Sequence, residues 1–180
     1  MFTQPEQYTF APTSTVPNNV LPVLVYRNVL PQPRKESITQ EFLEANEWMK
    51  GGVWGAVPQA HFHPNTHECY AVIQGHSVLR VGCPIEGQLI EMSPGDVIVL
   101  PAGVSHFSTD SDPEYRYIGA YPKGAPKWKN EYCKLAERLP ALREESSMVR
   151  VPDFDPVQGR GGPLVSIWTA AKEAGMAGPV

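Results

Sequence analysis

The stretch GAVPQAHFHPNTHECYAVIQG, residues 55–75, decides how this chain is read. It holds His61, His63 and His67 within seven residues, with Glu68 directly after them. His61 and His63 are two apart, so on a strand both side chains leave the same face. Pro64, Asn65 and Thr66 form a tight-turn sequence, and Glu68 opens the next apolar run. A hairpin at this turn lets Glu68 face the same interior as the two imidazoles. Along residues 68–74, Tyr70 and Val72 share the face of Glu68, while Cys69, Ala71 and Ile73 take the other.

The same period of two runs outward from this stretch. Segments 53–63, 68–74, 77–83, 88–92, 96–100, 104–109 and 115–121 are short, rich in Val, Ile and Tyr, and divided by Gly, Pro, Asn and Asp. Seven short strands at this spacing predict an all-β sandwich or barrel, residues 37–122 being its core. Upstream, residues 1–36 are Pro-rich and read as an extended arm with an edge strand inside Val20–Val29. Ser37 with Gln40 looks like a capping box, and Ile38, Phe42, Ala45 and Met49 have helical spacing up to Gly51 and Gly52, which predicts a helix near 38–49. Downstream, residues 123–180 read as a helical and irregular cover packed on the same domain. Trp128, Tyr132, Leu135 and Leu139 have helical spacing there, with Pro140 as the stop, and residues 150–168 look irregular. The Gly159–Gly162 run reads as having no strand before it, no helix after it and no Lys-Ser/Thr, which discounts a phosphate loop.

Composition bounds the rest. The 180 residues suit one domain. A net charge of −4 argues against nucleic acid, whose binding depends on Lys and Arg neutralising phosphates. Hydrophobic residues are 42% of the chain, enough for a core, yet no apolar run approaches the length of a membrane span. The start lacks a basic and apolar leader pattern. Cys69, Cys83 and Cys133 are odd in number and form no CxxC pair. The expectation is a soluble, cytoplasmic protein with free thiols and no membrane or nucleic-acid partner.

His106 lies about forty residues beyond the first cluster, after Pro101, Ala102 and Gly103. Three imidazoles and one carboxylate converging inside a barrel are costly without a cation, because a buried carboxylate needs a partner or must take a proton. Imidazole suits Zn, Cu, Fe and Ni, and carboxylate also suits Mn. The spacing itself resembles a known family. Gly55, His61, His63, Glu68 and Gly75 fall on the first cupin motif, and Gly95, Pro101, Gly103 and His106 on the second. Asp110 stands where that motif usually has Asn, so it lacks the amide donor of the usual residue. Gly119 to Pro122 and the run from Arg150 through Asp155 to Leu164 also resemble a group of small cupins labelled YjlB-like. The resemblance implies a double-stranded β-helix, that is, a jelly-roll barrel. It also implies one divalent metal (Fe, Mn, Ni, Co or Zn) on His61, His63, Glu68 and His106, and frequent dimers. It implies no agreed substrate.

Four protein ligands would close a tetrahedral Zn site but leave an octahedral ion two open positions, suited to a bidentate small molecule or to O₂ beside it. A metal-dependent enzyme, dioxygenase-like before isomerase or lyase, is the first reading. A non-catalytic small-molecule binding or sensor protein is the alternative. Tyr70 is the candidate proton donor or substrate contact, against the simpler reading of a core filler with its hydroxyl bonded. Trp54 and Tyr121 are further pocket candidates. Alternation turns His67 away from Glu68, to a place solvated at the turn edge or behind the ligands. His76 reads as a surface residue, Cys69 as packed outside the pocket, and Lys123, Lys127 and Lys129 as a solvated loop. The outward set Cys69, Ala71 and Ile73, with the Val20–Val29 arm, needs covering, either within the chain or across a two-fold. A homodimer is therefore expected.

Overall fold

A computed structural model of the chain describes residues 3–134 and 136–176. Its frame is two antiparallel sheets facing each other. The larger contains β1 (Glu6–Tyr8), β2 (Val23–Tyr26), β3 (Trp48–Trp54), β4 (Glu68–Gln74), β7 (Val97–Leu100) and β9 (Arg116–Pro122), in the order β1-β2-β7-β4-β9-β3. The smaller contains β5 (Ser77–Val81), β6 (Gln88–Met92) and β8 (His106–Ser111), in the order β6-β5-β8. This is the two-sheet architecture that the strand spacing predicts and the jelly roll that the resemblance implies. From β6 to β9 each successive strand changes sheet, as the chain also does from β4 to β5. Between β4 and β5, Gly75 has φ +64, and a Cβ there would stand 2.7 Å from the Tyr115 backbone.

Alternation along the large sheet builds two cores. Val23, Val25, Tyr70, Val72, Ile98, Leu100 and Tyr117 face inward and meet Leu79, Val81, Ile90 and Met92 of the small sheet. Leu24, Tyr26, Cys69, Ala71, Val97, Val99, Ile118 and Ala120 face outward. The outward set is covered within the chain. Leu43 of α1 (Glu36–Ala45) and Leu164 and Trp168 of α3 (Pro163–Met176) pack against it, and Ile73 joins at its edge. The Val20–Val29 arm contributes β2, which lies between β1 and β7 and so is not the sheet edge.

Several local expectations are corrected. The first helix ends at Ala45, because Asn46 caps it and Glu47 takes φ +60, turning the chain into β3. Met49, in helical register with Ala45, instead pairs with Tyr121 on β9. Ser37 lies inside the helix, and its N-cap is Lys35, without a side-chain bond. The predicted strand 53–63 is two pieces. β3 stops at Trp54, and the chain then crosses to β8, where the Ser108 N–H donates to Val57 and His61 forms a bridge with His106.

Pro140 begins α2 (Leu139–Met148) rather than ending a helix, as its fixed φ suits the first turn. A 3₁₀ turn at Ala136–Arg138 precedes it. Trp128 is in extended chain, and Leu135 lies outside the described residues. The 150–168 region contains the hairpin β10 (Phe154–Asp155) and β11 (Gly159–Arg160). Asp155 organises this region. Its carboxylate accepts from Tyr26 Oη at 2.5 Å and from the backbone N–H of Val157, Gln158 and Leu164.

Candidate metal centre

The four residues picked from spacing come together at one end of the barrel. Their backbones are fixed before their side chains are considered. His106 opens β8 and pairs with His61, the His106 N–H donating at 2.9 Å and the His61 N–H at 3.3 Å. Phe62, between the two nearby histidines, pairs in the same way with Glu131. The His63 carbonyl accepts from the Gly103 N–H at 2.9 Å, where φ +86 favours glycine. Glu68 is the first residue of β4.

Each of the three rings is oriented by a backbone carbonyl. His61 Nδ1 donates to Gln59 at 2.8 Å, His63 Nδ1 to Lys129 at 2.7 Å and His106 Nδ1 to Val104 at 3.0 Å. A carbonyl can only accept, so each Nδ1 carries the hydrogen and each Nε2 turns inward, its lone pair available to an ion whenever the ring is neutral. One ligand atom from each histidine lies within 4.8 Å of the others, and all three residues are buried. Such outer hydrogen bonds are what orient imidazole ligands in metal sites.

Glu68 completes the set. Its Oε2 is 2.9 Å from His63 Nε2 and 3.2 Å from His106 Nε2. Its Oε1 accepts from Tyr121 Oη at 2.5 Å. The 3.2 Å approach lacks hydrogen-bond geometry, so His106 Nε2 is a buried nitrogen without a partner. Lone pairs and a carboxylate oxygen crowded together require positive charge between them, either a proton or a metal cation. Both orphan and donor set fit a divalent ion.

The electrostatics agree. Burial, with His106 close by, pushes His61 down to about 3, so this ring is neutral at physiological pH. Burial also pulls on His63, but the Glu68 carboxylate and the Lys129 carbonyl overcome it and raise this imidazole. Burial alone would raise Glu68, yet the His63 and His106 imidazoles hold it well below the usual carboxylate range.

Around the ligands runs a circuit of aromatic rings. His106 meets Tyr70 at 5.5 Å between centroids, and Tyr70 stacks on Tyr117 at 3.8 Å. Tyr117 is 6.0 Å from Trp54, Trp54 is 5.7 Å from Trp128, and Trp128 stacks on Tyr121 at 4.6 Å. Tyr121 returns to His63 at 6.2 Å. Trp54 reaches inward because Gly52 and Gly119 leave room for it, a Cβ on Gly119 falling 2.1 Å from its ring.

Residues 54–112 match the family described as Cupin domain. That stretch is therefore similar to a cupin domain. The Bacillus subtilis (strain 168) "Uncharacterized protein YjlB" is 29% identical over 164 residues, covering 91% of this chain and 96% of YjlB. The chain thus resembles the YjlB-like group along most of its length. Among solved structures, acireductone dioxygenase from Bacillus anthracis, with a cadmium ion in its active centre, is 14% identical with TM-score 0.42, covering 61% of this chain and 83% of its own. A DUF861 family protein from Thermotoga maritima is 16% identical with TM-score 0.33, covering 54% and 96%.

Other residues fall differently from their sequence readings. His67 points away from Glu68 as alternation requires, but it is not solvated. It is fully buried against Trp168, its Nδ1 accepting from the Ala102 N–H at 3.0 Å and its Nε2 donating to the Arg150 carbonyl at 3.1 Å. Burial pushes it down to about 4. His76 is exposed beside Asp112. The Asp110 side chain is exposed, and its backbone carbonyl accepts from Ser77 Oγ.

The Lys123–Lys129 loop is more than solvated chain. Its lysine heads do face water, Lys123 pairing with Glu47 and Lys129 with Glu145. Its backbone, however, touches the centre through the Lys129 carbonyl, which sequence spacing could not reveal. A separate cleft of about 550 Å³, lined by Trp48, His67, Pro122, Arg150 and Phe154 among others, has none of the four ligand residues in its walls. Among the described residues no helix is long and apolar enough to cross a membrane.

Proposed function

We propose that this cupin holds one divalent transition metal through Nε2 of His61, His63 and His106 and a carboxylate oxygen of Glu68. We propose further that it is an oxygenase-type enzyme acting on a small, oxygen-rich organic molecule. The observation that carries the reading is the commitment of all three Nδ1 atoms to backbone carbonyls, which leaves three Nε2 lone pairs aimed at one buried point. When bound, the metal supplies a Lewis acid and a template for a chelating substrate or O₂.

The chain's own residues do the rest. The three carbonyls hold the ring tautomers. The aromatic circuit excludes water and shapes the site for a small partner. Tyr70 and Tyr121 are the tyrosines nearest the ligands, and both hold their protons firmly, Tyr70 through burial and Tyr121 through burial beside Glu68. Neither can act as a general base near neutral pH. Tyr70 is kept as a donor of hydrogen bonds.

Elemental analysis of the purified protein, followed by O₂ uptake with Fe²⁺ against diketones, catechols and 2-oxo acids, tests the reading. One metal per chain and substrate-dependent uptake are expected. A metal-loaded protein that binds one of these compounds without consuming O₂ or changing it would move the reading to a binding or sensor cupin. A homodimer remains part of the proposal on resemblance alone, since the outward sheet face is covered within the chain, and a monomeric mass by light scattering at micromolar concentration would remove it.

A further inference from the structure

We infer that Tyr121 is a positioning residue which ties up one oxygen of Glu68, so that the carboxylate offers a metal a single oxygen, and that Trp128 and Asn65, neither of them a ligand, hold Tyr121 in place. This rests on the metal reading above.

The contacts form one chain. Tyr121 Oη donates to Glu68 Oε1 at 2.5 Å, while the other oxygen, Oε2, faces His63 and His106. The tyrosine ring cannot swing away, for it is clamped on two sides. Trp128 stacks on it with planes 5° apart. Against the ring also lies Gly51, where a Cβ would fall 2.5 Å from Tyr121 Cε2 and 3.1 Å from Trp128. Gly51 sits where the register between β3 and β9 slips from Lys50 to Gly52. Strand irregularity and missing side chain together make the slot.

Trp128 is placed by its neighbours in turn. The Asn65 amide brackets it, Nδ2 donating to the Lys127 carbonyl and Oδ1 accepting from the Lys129 N–H, each at 2.9 Å. The Lys129 carbonyl then accepts from His63 Nδ1. One short strap thus sets two ligands, the tautomer of His63 directly and the free oxygen of Glu68 through the Trp128–Tyr121 stack.

Co(II)-loaded full-length protein tests this, because the visible absorption of Co(II) reports how many atoms coordinate it. Tyr121→Phe keeps the ring and removes the bond to Glu68. The expected results are retained one-to-one binding, about a tenfold loss of Co(II) affinity and a changed absorption spectrum as Oε1 becomes free to coordinate. Trp128→Ala and Asn65→Ala, which touch no ligand, should move the spectrum in the same direction, and Trp128→Phe should restore the wild-type spectrum. Tyr70→Phe should leave it unchanged, which separates positioning of Glu68 from general disturbance of the cavity. Wild type that binds Co(II), with Tyr121→Phe and Trp128→Ala spectrally identical to it, would overturn this inference and leave the metal reading standing. Wild type that binds no Co(II) would overturn both.

Discussion

His61 and His106 are joined through their backbones and face each other through their rings. Two backbone hydrogen bonds tie them in an antiparallel bridge, and their rings stand 4.5 Å apart. The segment bearing His61 is not a regular strand, so this bridge and the neighbouring Phe62–Glu131 bridge give two ligands a fixed spacing before any ion arrives. Preorganisation of this kind lowers the ordering cost of binding.

Changing His61, His63 or His106 to Ala should cut metal per chain sharply, as read by elemental analysis, while far-UV circular dichroism stays that of the wild type. Glu68→Gln preserves size and one oxygen but removes the charge that offsets a divalent ion, so affinity should fall with the barrel intact. Normal metal content in all four variants would end the site assignment.

His67→Ala should separate structure from ligation. The change leaves the Ala102 N–H and Arg150 carbonyl without partners and a cavity beside Trp168. A loss of about 2–4 kcal/mol in denaturant unfolding is expected, with metal content unchanged. Loss of metal equal to that of His61→Ala would show that the inward face had been misassigned.

Alkaline pH should unfold the protein through its tyrosines. Burial raises Tyr26, Tyr70, Tyr115 and Tyr117 in the folded chain, with Asp155 adding to the effect at Tyr26 and Glu68 at Tyr70 and Tyr117. Above a pH of about 10 the unfolded chain loses these protons while the folded chain keeps them. The stability they contribute is therefore whole below that pH and falls as pH rises through it. Absorbance near 295 nm should show these four ionising together with the loss of near-UV dichroism, and not before it. Their smooth titration near 10 in a still-folded protein would contradict the burial described here.

Gly119→Ala should disturb the aromatic circuit from beneath. The added methyl would meet the Trp54 ring at 2.1 Å, and a ring that large cannot yield cheaply. We expect a destabilisation of about 1–3 kcal/mol and a shift in tryptophan emission as Trp54 moves outward. An unchanged emission spectrum would mean that Trp54 does not rest on this glycine.

The convergence of His61, His63 and Glu68 was legible because their spacing encodes both alternation and the turn at Pro64–Thr66, and these are local facts. The reading of His67 stopped halfway. Alternation correctly sent its ring away from Glu68, but whether that side is wet depends on Trp168, about a hundred residues later. Met49 shows the reverse failure, where local helical spacing lost to pairing with Tyr121 on β9. Asn65 and Lys129 left no periodic signal, and the helical spacing that begins at Trp128 pointed to a helix where the chain is extended. The strap's one sequence trace is an Asn in the turn between His63 and Glu68, which reads equally well as a turn former.

The four tryptophans divide between the two faces of the large sheet. Trp54 and Trp128 belong to the aromatic circuit around the candidate metal centre, whereas Trp48 and Trp168 are buried in the outer core behind the sheet. The protein therefore carries a built-in optical probe with its own internal reference. A paramagnetic ion entering the centre would darken the emission of the first pair and largely spare the second, so occupancy could be followed by light alone, without a label and without knowing the substrate.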